Sequence, residues 1–328
     1  MGLSESAYEL TTTRLSRPIG KEKYECLLCP LRCRLKNGDR GRCKARVGIN
    51  GGISPVMFET SSIAIEPIEK KPLFHYKPGL KTLSFGSFGC NFDCDYCQNF
   101  SVSQSPPRHS SHKLAGDDLM VLLKEHGAEA MCFTYNEPTI YYEAVMEISE
   151  SCRSEDIPFI IKTNGYCETE PWADICGAVD AMNIDWKGSD ARYRSIAKTD
   201  GHTVIKRIEE AVASSSHVEI SIPVYSDSFL DEYHDFPKWL SSLDPAIPVH
   251  LLRIVPAYKN MAQITSDKLI KKVADTMMDH LHYVYVHGLY GTDDKSRNTT
   301  CHLCGMEIIK RDYLSITNNN CDCGIIEL

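Results

Sequence analysis

From Thr82 onward short apolar runs alternate with amphipathic stretches, and this alternation restricts the fold more than any other feature of the chain. LSFGS, AMCFTY, FIIKTNG, AMNIDW, VEISIPV and VHLLRIVP are strand candidates, while IYYEAVMEISESCR, TVIKRIEEAVASS and DKLIKKVADTMMDHL read as helices. Strands and helices in turn predict a parallel sheet with crossover helices. Six strands are too few for a closed eight-fold barrel, so the expected fold class is α/β, an open, partial (β/α)6 TIM-like barrel. YVYVHGLYG, from Tyr283 to Gly291, is a candidate for one more edge strand.

With 328 residues and 42% hydrophobic content, the chain can bury one large core and carry small appendages. The pattern divides it into a Cys-rich module over 1–75, the barrel over 76–290 and a second Cys-paired module over 291–328. A net charge of -8 argues against a nucleic-acid partner, which calls for a basic face. No apolar run is long enough to span a bilayer, and the opening MGLSESAYELTTTRLSRP lacks the apolar core of a signal peptide. A cytoplasmic protein without a membrane partner is the expectation.

Fifteen cysteines are many for such a chain, and a reducing compartment disfavours pairing them as disulfides. Cys132, Cys152, Cys167 and Cys176 stand alone in apolar or helical stretches and read as buried thiols. Cys26, Cys29, Cys33 and Cys43 form C-x2-C-x3-C-x9-C, a set of four soft ligands that fits zinc or a second iron–sulfur cluster; thiols packed without metal at the barrel entrance are the alternative. At the other end Cys301 and Cys304 in CHLCG, with Cys321 and Cys323 in CDCG, resemble the two knuckles of a zinc ribbon, with MEIIKRDYL between them able to make a hairpin.

The remaining group, GSFGCNFDCDYCQNF, places Cys90, Cys94 and Cys97 in C-x3-C-x2-C spacing directly after the first barrel strand. Loops at the carboxyl ends of parallel strands build active sites, so three thiolates converge on the barrel mouth. Three such ligands on a four-iron cluster leave one iron open, whereas a structural zinc site or three unrelated thiols would be the inert alternatives. At these residues the sequence resembles the radical SAM superfamily, whose motif is C-x3-C-x-aromatic-C, with Tyr96 as the aromatic. The resemblance implies a [4Fe-4S] cluster whose open iron chelates S-adenosylmethionine (SAM). An electron then cleaves SAM to a 5'-deoxyadenosyl radical that abstracts hydrogen.

Further residues follow from that resemblance. Asn136 and Glu137 in FTYNEPT stand where the superfamily has a Gly-Gly-Glu-Pro segment that contacts the SAM amine, although Tyr135 and Asn136 replace the glycines. Taken alone, Asn-Glu-Pro reads as a helix start. KTNGY and NIDWKG resemble the pyruvate formate-lyase activating enzymes, in which polar residues at these strand ends face the ribose and carboxylate of SAM; Asn164, Asp185 and Lys187 carry over. Asp185 and Lys187, two apart on a strand, share a face and can pair. HLLRIVPAY adds His250 and Arg253, the latter suited to meet a carboxylate through two hydrogen bonds, and His202 is a weaker candidate before a helix.

CLLCPLRCRLKNGDRGRCKAR, IEKKPLFHYKPG, GCNFDCDYCQNF, TYNEPT, KTNGY, IDWKG and the C-terminal cysteine pairs together resemble, from Tyr24 to Gly324, the AmmeMemoRadiSam-system radical SAM family, related to pyruvate formate-lyase activating enzymes. That resemblance implies an anaerobe's oxidoreductase or activase associated with Memo-like and Ammecr-like proteins. Its electron donor would be a flavodoxin or ferredoxin, its cofactors the cluster, SAM and zinc. The expected reaction is hydrogen abstraction from a protein or peptide, with glycyl-radical activation as a special case. Radical modification of a small metabolite is the alternative chemistry, and an iron–sulfur or zinc carrier or scaffold is the alternative outside catalysis.

Overall fold

The computed structural model describes residues 11–56, 58–107, 116–197, 199–225, 232–262, 264–289, 296–311, 316–319, 321 and 323. The N-terminal module contains a three-stranded antiparallel sheet, β1 (Ser16–Gly20), β2 (Lys23–Cys26) and β3 (Arg34–Lys36), followed by a hairpin of β4 (Arg46–Ile49) and β5 (Gly52–Pro55). Strands of three to five residues are too short to show a periodicity, which is why the sequence reads as irregular here.

The main sheet has eight strands in unbroken chain order: β6 (Ser62–Pro67), β7 (Lys81–Gly86), β8 (Ala130–Phe133), β9 (Phe159–Thr163), β10 (Ala181–Asp185), β11 (His217–Val224), β12 (Val249–Arg253) and β13 (Val284–His287). From β7 to β13 every pairing is parallel. The six expected barrel strands are present, and β13 is the added edge strand anticipated from YVYVHGLYG. β6 pairs antiparallel with β7, so residues 62–67 belong by hydrogen bonding to the main sheet although composition groups them with the N-terminal module.

Alternate strand residues face opposite ways. Leu83, Phe85, Met131, Phe133, Ile161, Ile184, Ile220 and Leu251 join one continuous core with Leu119, Val145, Ile175, Ile208 and Val273 of the crossover helices. The opposite face is largely polar above and is plugged below. Ile68 and Leu73 pack on Ala130, Cys132, Ile160 and Ala181, Pro72 O accepts from Asn183 Nδ2 at 2.6 Å, and the backbone N–H groups of Phe74 and His75 donate to Glu219. The four solitary cysteines are all buried, as expected. No helix among the described residues is long and apolar enough to cross a membrane.

In the C-terminal module β14 (Thr299–Thr300), β15 (Glu307–Arg311) and β16 (Ile316–Asn318) form an antiparallel sheet. MEIIKRDYL supplies β15, and its last three residues lie outside the described residues, as do the opening 1–10, the expected boundary at Gly291, and Gly324. The module is anchored to the barrel floor by the buried Arg311, which donates to Phe74 O at 2.5 Å and to Thr299 Oγ1 at 2.8 Å.

Candidate active site

The carboxyl ends of β7 to β12 open on a cavity of about 240 Å³. Cys90, Cys94 and Cys97 enter it from the loop after β7, while Asn136, Glu137, Asn164, Asp185, Lys187 and Arg253 enter from four later strand ends. Residues scattered over more than 160 positions thus meet on one wall because parallel strands put all their carboxyl ends on one side.

The cysteine loop is fixed from several directions. Asn136 Oδ1 accepts from Ser87 N at 2.8 Å, and its amide donates to Phe88 O and Gly89 O, so this side chain pins the approach to Cys90. Asn164 Nδ2 donates to Asn91 Oδ1 at 2.8 Å and reaches Cys90 Sγ at 3.7 Å. Phe92 N donates to the same sulfur at 3.3 Å, and Cys97 Sγ lies 3.3 Å from Ser103 Oγ. Burial pushes the Cys90 thiol up and the Cys94 thiol up to about 11. Thiolates at Cys90 and Cys94 would be favoured by a nearby positive charge, and the N–H groups of Phe92 and Asn164 directed at Cys90 suit that form.

Tyr135 takes a left-handed conformation, φ 69°, where the superfamily pattern invoked above has glycine. Its hydroxyl donates to Glu66 Oε2 at 3.0 Å, which anchors the turn from the edge strand. Glu137 is buried and joins β8 to β9: its oxygens accept from Thr139 N, Thr139 Oγ1, Thr163 Oγ1 and Asn164 N at 2.6 to 3.1 Å. Burial raises its carboxyl despite these bonds.

Lys162, which sequence reasoning did not single out, forms the polar floor of the cavity. Its ammonium donates to Asn183 Oδ1 at 2.6 Å, Asp185 Oδ1 at 2.8 Å and Ser221 Oγ at 3.3 Å. Lys187 Nζ approaches the other Asp185 oxygen at 3.1 Å, so the anticipated pair exists as a triad. Alternation from Asn164 along β9 places Lys162 on the same face, the signal that would have found it. Burial acts to raise the Asp185 carboxyl, but the two ammonium groups outweigh it and hold it at about 2.

His250 is a correction. Alternation on β12 puts it on the cavity face but one step below Leu252, which lines the cavity, and there it is fully buried with Nε2 2.6 Å from Glu219 Oε2 and Nδ1 3.0 Å from His287 Nε2. It belongs to the barrel plug. Arg253 does line the cavity and pairs with Asp267, whereas His202 is exposed at the start of the helix His202–Val212.

Residues 85–236 match the radical SAM superfamily, and over 298 residues the chain is 33% identical to an uncharacterized protein of Methanocaldococcus jannaschii, covering 88% of each. The chain belongs to the radical SAM superfamily. It is 28% identical over 105 residues to the 4-hydroxyphenylacetate decarboxylase activating enzyme of Clostridium scatologenes, a stretch covering 30% of this chain and 32% of that one. The solved structure of Streptococcus suis SuiB bound to S-adenosylmethionine shares the fold with a TM-score of 0.52 at 13% identity, over 68% of this chain and 53% of that one. The protein is an enzyme, and radical SAM membership implies SAM and a [4Fe-4S] cluster.

The radical SAM cavity fits such a pair of groups. It offers three sulfurs on one wall, a charged floor, an apolar side made by Pro223, Leu252 and Ile254, and Tyr96, whose buried hydroxyl has no hydrogen-bond partner among the described residues. An unpaired buried hydroxyl marks a place for a ligand. The C-terminal Cys301, Cys304, Cys321 and Cys323 also converge, with all four sulfurs within 4.8 Å of one another and Cys304 Sγ 3.4 Å from Cys321 Sγ. The backbone N–H of Cys304 and further N–H and S–H groups bring the Cys301 thiol down to about 7.

Proposed function

We propose that Cys90, Cys94 and Cys97 hold the [4Fe-4S] cluster, that SAM occupies the adjoining cavity, and that the enzyme abstracts hydrogen from a protein or peptide segment. The observation that carries this reading is the convergence of three sulfurs, that of Cys94 buried and those of Cys90 and Cys97 half-buried, with Lys162, Asp185 and Lys187 on one cavity. When bound, the cluster and SAM supply a 5'-deoxyadenosyl radical. The chain's part is to position and shield. Asn136 and Asn164 orient the cysteine loop, Glu137 locks the two strand ends behind it, and Asp185 presents a carboxylate to the hydroxyl or ammonium groups of SAM. Lys187 and Arg253 offer positive charge to its carboxylate, and the Tyr96 hydroxyl is a donor awaiting an acceptor.

A polypeptide substrate is supported by the activating-enzyme relative, whose named target is a protein. Glycyl-radical activation, placement in the AmmeMemoRadiSam system with Memo-like and Ammecr-like partners, and a flavodoxin or ferredoxin donor extend the same reading. The C-terminal quartet is assigned zinc, because tetrahedral Zn–S bonds of ~2.3 Å put sulfurs about 3.8 Å apart, a spacing its geometry approaches. The test is anaerobic reconstitution with iron and sulfide, reduction in the presence of SAM, and chromatography for 5'-deoxyadenosine, with the Cys90→Ala/Cys94→Ala/Cys97→Ala variant as control. Cysteine-dependent 5'-deoxyadenosine is expected. Equal production by the variant would refute the assignment.

A further inference from the structure

The N-terminal cysteines are not used by the chemistry above, yet they make a built site. Cys26, Cys29 and Cys43 are buried in the core and Cys33 is half-buried. Cys26 N bonds Cys33 O at 2.9 Å, and the turn at Gly41 closes over Cys33, with Arg42 N donating to its sulfur at 3.4 Å. Backbone N–H groups of Leu28, Leu31 and Ala45 are directed at the sulfurs of Cys26, Cys29 and Cys43. Cys33 thus receives a backbone N–H as Cys90 does from Phe92, and the N–H groups near the other three sulfurs are placed to do the same. Donors aimed at sulfur suit thiolates.

Charge tells the same story. Seven basic residues and one acid, Asp39, lie between Cys26 and Arg46 inclusive. Arg46 is 1% exposed; it forms a two-point pair with Glu143 at 2.8 Å, while its Nε has no hydrogen-bond partner among the described residues. Its guanidinium acts on both Cys26 and Cys43. A buried, incompletely partnered cation beside four cysteines is expensive unless the centre it faces is anionic, as a metal centre with four thiolates is.

Spacing separates the two kinds of centre. One tetrahedral zinc needs its sulfurs about 3.8 Å apart. Among the described residues only the C-terminal quartet gathers three or more metal-ligating side-chain atoms within 4.8 Å; the N-terminal sulfurs influence one another but stand farther apart. A cubane cluster spreads its four thiolates more widely than a single ion does. We propose that Cys26, Cys29, Cys33 and Cys43 hold a second [4Fe-4S] cluster, with Arg46 as its buried counter-charge. The site lies directly behind the Cys90 loop: a Cβ on Gly89 would come within 2.1 Å of Cys43 O.

The experiment measures iron, sulfide and zinc, with Mössbauer and electron paramagnetic resonance spectra, on the reconstituted full chain. Wild type should hold about eight irons, and the Cys90→Ala/Cys94→Ala/Cys97→Ala variant about four irons with four sulfides, in a spectrum that SAM leaves unchanged. In that background Cys33→Ser/Cys43→Ser should remove the remaining iron, while Cys304→Ser/Cys323→Ser should leave it. Arg46→Gln, with all ligands present, should lower the reduction potential of the SAM-insensitive signal. The proposal is overturned if the triple variant holds zinc but no iron, or if its iron follows the C-terminal cysteines. Wild-type iron near four with a SAM-sensitive signal would remove the second cluster and leave the active-site reading standing. Wild-type iron near four that is SAM-insensitive and not reduced in the triple variant would remove the active-site cluster and leave the second one standing.

Discussion

Asn164 Nδ2 donates to Asn91 Oδ1 at 2.8 Å, tying the end of β9 to the residue that follows Cys90. Both side chains are buried, and both also bond the Tyr166 backbone at 2.9 Å, Asn91 to its carbonyl and Asn164 from its N–H. Asn164→Ala leaves Asn91 Oδ1 without this donor, at a cost of about 2 kcal/mol in urea unfolding. The same variant should lose reconstituted iron faster on gel filtration than wild type. Unchanged iron retention would show that the loop holds itself.

Lys162 predicts a pH effect. Asp185 has a folded pKa of about 2 against an unfolded value of about 3.9, so its contribution to stability is present above about pH 4 and is lost as pH falls through about 2. Lys162→Met leaves Lys187 alone to oppose burial. The carboxyl then rises, the acid-unfolding midpoint moves to higher pH, and stability at neutral pH drops by about 3 kcal/mol, the cost of breaking a largely buried pair. SAM affinity measured by calorimetry should fall as well. An acid midpoint identical to wild type would rule out the charge coupling.

Glu137 offers acceptors only, and four donors meet it. Glu137→Gln turns one acceptor into an NH2 group facing a donor, Asn164 N–H or the hydroxyls of Thr139 and Thr163. The expected loss is about 2 kcal/mol, read from thermal or urea unfolding. A variant as stable as wild type would mean that the carboxyl is protonated in the fold and already donates one hydrogen bond.

How much of this was legible in the sequence depends on the range of the interactions involved. The six barrel strands and the Cys90 loop could be read because apolar runs and cysteine spacing are local. Lys162 was missed because its role needs Asn183, Asp185 and Ser221 from two other strands. His250 was misplaced for a related reason: its residue type suggests a site, but its height in the barrel is set by the β12 register against β11. β6 was hidden because an edge strand with half-exposed residues carries little apolar signal. Asn136 lines the cavity, yet its hydrogen bonds to 87–89 show a loop-holding geometry that no motif discloses.

The C-terminal quartet predicts a metal-dependent stability. Four sulfurs within 4.8 Å on a module whose own core is small, Cys301 with Ile308 and Ile309, need a cross-link to stay folded. Removing the metal with a chelator, or Cys304→Ser, should lower the Tm of this module by about 5 °C or more and expose Arg311 and Thr299 to hydrogen exchange. The iron content held through Cys90, Cys94 and Cys97 should not change. Identical melting with and without chelator would mean that the module needs no ion.

Gly89 carries the most exacting prediction. Its φ of +86° lies in the left-handed region, and an added Cβ would stand 2.1 Å from Cys43 O, 3.3 Å from Cys43 C and 3.4 Å from Ile140 Cδ1. The nearest obstacle is backbone, which cannot swing aside as a side-chain tip can. Gly89→Ala must therefore push the Cys90 loop and the N-terminal module apart, in addition to the strain of about 1 kcal/mol or more that a β-carbon adds at this φ. Such a displacement moves Cys90 relative to Cys94 and Cys97 while leaving all three ligands in the chain. The expected result is a folded protein, by circular dichroism, that assembles its SAM-sensitive cluster poorly and exchanges amide hydrogens faster around 43–46 and 87–92. If cluster assembly and exchange match wild type, the contact between the two modules is looser than this geometry, and the N-terminal module does not help to hold the active-site loop.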